Sequence, residues 1–74
     1  LLAFINHIMQ QRNKLGYDEV YLNLAKANLQ LFPLDNQNYK AAHLEETQFT
    51  RTWITECTFA KANLKNANFS GCTL

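Results

Sequence analysis

Large apolar or aromatic residues recur at every fifth position from Leu24 onward. They are Leu24, Leu29, Leu34, Tyr39, Leu44, Phe49, Ile54, Phe59, Leu64, Phe69 and Leu74. Such residues make up about a third of the chain, so an unbroken run arises by chance on the order of once in ten thousand sequences or less. A period of five fits no regular element. On a helix it steps about 140° each time and draws no stable face. On a flat strand it sends alternate members to opposite sides. The spacing is coherent only if the chain turns a corner once per block. Four blocks then close one coil of about twenty residues, and coils stack.

A second set supports this. Two residues before each large one stand Leu22, Ala27, Phe32, Gln37, Ala42, Thr47, Thr52, Cys57, Ala62, Ala67 and Cys72. From Ala42 onward all are Ala, Thr or Cys. Residues two apart on an extended stretch point the same way, so both sets face inward. A narrow interior has room for one large side chain per side. The remaining positions are mostly polar and face out: Asn28, Asn38, Asn63 and Asn68 before the large residue, and Lys26, Glu46, Arg51, Glu56 and Lys61 at the block ends.

The first fifteen residues follow a different period. Leu1, Phe4, Ile5, Ile8 and Leu15 fall near one helical face, with Leu2 and Met9 beside it. Asn6, Gln10, Arg12, Asn13 and Lys14 take the other side. Arg12 and Lys14 sit in the last turn, where cations suit the helix dipole. Gly16 marks the end. Partial alternation of Val20, Leu22 and Leu24 in YDEVYLNL predicts a short strand. The expected organisation is a capping helix over 1–16, a connector over 17–21 and coils over 22–74. The helix covers the first coil with its Leu1, Phe4, Ile5 and Ile8 face.

The segments AKANLKNANF and LAKANLQ resemble the pentapeptide-repeat family, whose consensus is A(D/N)LXX. The resemblance spans Leu22 to Leu74 and is tight from Ala42 onward. The first coil departs from it, with Leu22, Phe32 and Gln37 at small-residue positions and Pro33 interrupting a block. The family implies an all-β solenoid, a right-handed quadrilateral β-helix of about 2.7 coils. Residues twenty apart then stack about 4.8 Å apart. Leu24, Leu44 and Leu64 form one column; Leu29, Phe49 and Phe69 a second; Leu34, Ile54 and Leu74 a third; Tyr39 and Phe59 the last. Some family members mimic duplex DNA and protect DNA gyrase. Others serve as spacers or docking rods in larger signalling or effector enzymes.

Charge bears on that choice. Seven Lys and Arg against six Asp and Glu give a net charge of +1. A DNA mimic needs a strongly acidic rod, and a nucleic-acid binder needs a basic patch. Neither sign dominates here, so no nucleic-acid partner is expected. Lys26 over Glu46, and Glu45 over Lys65, read as opposite charges on neighbouring coils.

Candidate chemistry is sparse. His43 in AHLEE lacks the second histidine of a zinc-protease motif and reads as a surface residue beside Glu45 and Glu46. Cys57 and Cys72 fall in different inward columns and read as small core residues. Free thiols suit a reducing compartment, so a cytoplasmic setting is expected. The opening LLAFINHIM is too short to cross a membrane. No cofactor, metal or small-molecule substrate is expected, and the chain reads as noncatalytic. The informative exception is Trp53, which precedes Ile54 and therefore faces out, as an interface anchor would. Leu31 is a second outward apolar residue. Leu74, where the pattern is cut, is the third candidate, because an open C-terminal end invites self-association. The first residue is not Met and the pattern stops mid-coil, which reads as a segment of a longer protein. The expected function is a scaffold or protein-interaction module.

Overall fold

A corner every five residues leaves each side of the coil too short for a regular strand. The computed structural model, which describes residues 1–72, shows the result. Single residues pair in parallel across a twenty-residue step: Asn23 with His43, Asn28 with Gln48, Pro33 with Trp53, Asn38 with Thr58, His43 with Asn63, and Gln48 with Asn68. Among the described residues no continuous strand or sheet forms. The expectation of an all-β architecture is thus met in its stacking and corrected in its elements. The alternation predicted around YDEVYLNL is likewise corrected. Residues 17–19 are turns, and pairing begins only at Asn23.

Most corners repeat one hydrogen-bonded geometry. The large residue's carbonyl accepts from the N–H three residues on, as in Leu24 to Ala27 (3.0 Å), Phe49 to Thr52 (3.1 Å) and Leu64 to Ala67 (3.0 Å). The third residue of this turn is left-handed. Lys26, Leu31, Asn36, Ala41, Glu46, Arg51, Glu56, Lys61 and Asn66 have φ between 56° and 64°, and Gly71 continues the series at 71°. Positive φ at the third position is the mark of a type II turn. A β-branched residue is a conformational outlier there, and none of these ten positions carries Val, Ile or Thr. Where Asn precedes the large residue, its Oδ1 accepts the N–H two residues later: Asn23 from Ala25, Asn28 from Gln30, Asn38 from Lys40, Asn63 from Lys65 and Asn68 from Ser70. This side-chain turn is the physical reason for asparagine in the repeat.

The inward columns fall where the spacing put them. Leu24, Leu29, Leu34, Tyr39, Leu44, Phe49 and Ile54 are buried, and Ala42, Thr47 and Thr52 are buried beside them. Phe59, Leu64 and Phe69 of the last coil are half-buried. Phe49 and Phe69 stack with centroids 4.8 Å apart and planes within 2°, and Tyr39 and Phe59 stack at 5.4 Å. The two columns meet edge to face, Phe49 on Phe59 at 6.4 Å. Buried hydroxyls and thiols turn back to backbone carbonyls. Thr47 Oγ1 donates to Leu24 O, Thr52 Oγ1 to Phe49 O, and Cys57 Sγ and Tyr39 Oη both to Leu34 O. Burial pushes the Tyr39 phenol well above its ordinary value, so the core holds it neutral.

Helix α1 spans Leu2–Leu15 and covers the first coil. Gly16 ends it at φ 102°, its N–H bonded to Arg12 O at 2.9 Å. The face it buries is rotated from the expected one. Ile5, Met9 and Arg12 are buried and Leu2 and Ile8 half-buried, whereas Leu1, Phe4 and Leu15 stay exposed. Arg12 is the reason. Its side chain is 1% exposed, and its guanidinium donates to four carbonyls: Val20 O at 3.1 Å, Asn38 O at 3.3 Å, Tyr17 O at 2.9 Å and Lys40 O. One coil later, the matching carbonyls Thr58 O and Ala60 O accept from Tyr39 N and Ala41 N. No coil precedes Asn38 and Lys40, so Arg12 supplies the missing donors. A second tie joins the connector to the same corner, where Lys40 Nζ lies 3.0 Å from Asp18. The hydrogen bond from Lys40 holds the Asp18 carboxyl below its usual range.

Among the described residues, no helix is long and apolar enough to cross a membrane. The molecule measures 32 × 21 × 21 Å.

Two substitutions test this account by chemical denaturation. Arg12→Met removes the donors and strands the carbonyls, so a loss of about 2–4 kcal/mol is expected. Arg12→Lys, with no planar fork, should recover only part of it. Ala42→Leu overfills the second coil and should cost about 1–3 kcal/mol. A neutral outcome for Ala42→Leu would refute the register.

Candidate interaction surface

The outward middle position of each side is where the repeat places its Asx turn. Reading around the tube, it holds Asn23, Asn28, Pro33, Asn38, His43, Gln48, Trp53, Thr58, Asn63 and Asn68. Trp53 occupies one of these positions and gives up the side-chain turn that asparagine makes elsewhere. Its side chain stays 56% exposed. Pro33 pairs with it in the coil above and is also exposed. Leu31, two residues before Pro33, is 68% exposed. Leu31 and Arg51 hold the same left-handed corner in successive coils. The structure therefore brings Trp53 and Leu31, two of the three residues singled out by the sequence, onto one side of the tube. The third, Leu74, lies outside the described residues.

At Gly71, the next residue in the Leu31 and Arg51 column, an added Cβ would lie 3.3 Å from Arg51 Cγ. Glycine there relieves the positive φ and leaves room for the Arg51 stem. The Arg51 side chain is exposed, as is that of Glu56 at the opposite corner of the same side. Among the described residues neither forms an ion pair.

The remaining polar candidates meet expectation in part. Lys26 with Glu46, and Glu45 with Lys65, form no ion pairs among the described residues. Lys26, Glu46 and Lys65 are exposed corner residues, where long side chains spread into water. His43 does sit beside Glu45, with Nδ1 3.4 Å from Oε1, and its ring packs on Tyr21 with centroids 5.1 Å apart. Cys57 and Cys72 are free thiols, half-buried as expected, and Cys72 Sγ lies 3.5 Å from Thr52 Oγ1 directly above it. Burial raises the Cys57 thiol and so disfavours the thiolate.

Arg12 is the important residue that pattern reading missed. An arginine in the last turn of an amphipathic helix looks like a solvated cation. Its signal lay in the acceptors it meets, two of which belong to residues 26 and 28 positions further along the chain.

Residues 41–74 match a family model described as pentapeptide repeats (8 copies). No curated protein and no solved structure gives a match. The matched stretch begins at the start of the second coil, yet backbone pairing begins at Asn23, so the coil geometry extends beyond the matched residues.

If Trp53 serves contact rather than packing, the fold should improve without it. Trp53→Asn restores the side-chain turn and removes exposed apolar surface. It should raise stability by a few tenths to about 1 kcal/mol. A clear loss in a thermal or denaturant melt would show that Trp53 supports the tube.

Proposed function

We propose that this chain, whose residues 41–74 belong to the pentapeptide-repeat family, is a noncatalytic scaffold or protein-interaction module. We read its tube as the right-handed quadrilateral β-helix of that family, presented to partners by its sides. The observation that carries the reading is Trp53. An exposed tryptophan stands where the repeat favours a turn-making asparagine, with exposed Pro33 and Leu31 beside it. Positions that break a local rule without structural gain are where function is expected. Tryptophan and arginine are also the side chains that most often dominate binding energy at interfaces.

The net charge of +1 and the mixture of signs around the tube weigh against a DNA-mimic role. The free thiols fit a cytoplasmic setting.

The test pairs capture with mass measurement. Immobilised wild-type chain should retain a partner, or the free chain should exceed monomer mass. Trp53→Asn should lose that behaviour while remaining folded by circular dichroism. Equal capture and equal mass for both proteins would refute the Trp53 surface.

A further inference from the structure

The four left-handed corners of the second coil carry alternating charges: Glu46, Arg51, Glu56 and Lys61. Each pair of corners bounds one side. Between Glu46 and Arg51 the middle residue is Gln48, and between Glu56 and Lys61 it is Thr58. Between Arg51 and Glu56 it is Trp53, with Pro33 above it. This side therefore has an apolar centre, a cation at one border and an anion at the other. The opposite corners in the coil above are Leu31 and Asn36, with half-buried Asp35 beside Asn36.

Such a side is complementary to itself. Consider a second copy related by a two-fold axis that runs parallel to the tube and lies between the two faces. The rotation reverses the direction along the side and keeps the coil level. Arg51 then meets Glu56 of the second copy, Glu56 meets its Arg51, and the two Trp53 side chains meet near the axis with Pro33 above them. An isologous contact of this kind uses one patch twice and closes after two copies. The same rotation about an axis across the tube would set like corner against unlike coil and pair no charges.

We propose that the partner of the Trp53 side is a second copy of this chain, docked side by side with parallel tubes and held by two reciprocal Arg51–Glu56 pairs around a tryptophan centre. This rests on the interaction-module reading above and specifies its partner. Arg51 and Glu56 are exposed and unpaired within the described residues, as such a role requires. One side of a tube 21 Å across is smaller than the ~800 Å² per partner of a standard interface. Association is therefore expected to be weak and salt-sensitive, with charge fixing register and tryptophan supplying affinity.

Charge exchange tests this directly, read by sedimentation or light scattering of the whole chain up to about 1 mM. Arg51→Glu and Glu56→Arg should each weaken dimerisation by about tenfold or more, because every reversal creates two repulsive pairs. Mixing the two variants should restore a heterodimer, since both of its pairs are then attractive, and the double variant Arg51→Glu/Glu56→Arg should dimerise like wild type. Rescue by mixing requires both variants to be folded, so unfolding cannot imitate it. A wild-type chain that stays monomeric throughout overturns the proposal, as do single reversals without effect or mixing without rescue. If Trp53→Asn abolishes binding to another protein while the reversals change nothing, the interaction-module reading survives and the self-pairing does not.

Discussion

Each coil of this protein is half a hydrogen-bonded structure. Its backbone groups point along the tube, and only another coil, twenty residues away, can meet them in register. Leu24 N to His43 O (2.8 Å) and His43 N to Leu22 O (2.9 Å) are typical of the bonds that result. Everything else follows from keeping that register. Large side chains stack on large ones because the backbone beneath them is in step. The interior stays narrow because the corners come every five residues. The helix exists to end the series, since an uncovered first edge would leave buried carbonyls without donors.

Arg12 shows how the end is made. A helix cannot pair with a coil edge by its own backbone, whose bonds are used internally. It can present a side chain that imitates the missing edge. The guanidinium is planar and forked, carries several donors and is weakly hydrated compared with an ammonium, so it suits a buried array of carbonyls. Burial still acts against its charge and lowers its pKa, an effect only partly offset by Tyr17 and Asp18. Ile5 and Met9, on the same helix, are buried along with it.

The inward half of this architecture was legible because it is repeated. Eleven large residues and the small ones before them make a statistical signal, and stacking distances near 4.8 Å follow from it. What was not legible occurs once or concerns conformation. The helix face was misjudged by one stripe, because Leu1, Phe4 and Leu15 outweigh a single arginine in any apolar count, although the arginine decides the docking angle. The strand around Val20 failed because two alternating leucines belong equally to the five-residue metre. The left-handed corners left a trace only in what they exclude, the β-branched residues. The outward face of Trp53 was readable from register alone, whereas its place between Arg51 and Glu56 required the corners to be located.

The direction of the backbone bonds has one more consequence. Toward the coil before it, a side typically offers two carbonyls and one N–H, as His43 and Glu45 do beneath the first coil. Toward the coil after it the proportion is reversed. The tube is thus chemically polar, acceptor-rich at the first edge and donor-rich at the far one. A cation can plug only the first. Because Arg12 touches carbonyls of the first coil and connector alone, coils can be inserted or lost in units of twenty without disturbing the plug. Length is therefore free to vary while the start of the tube stays fixed.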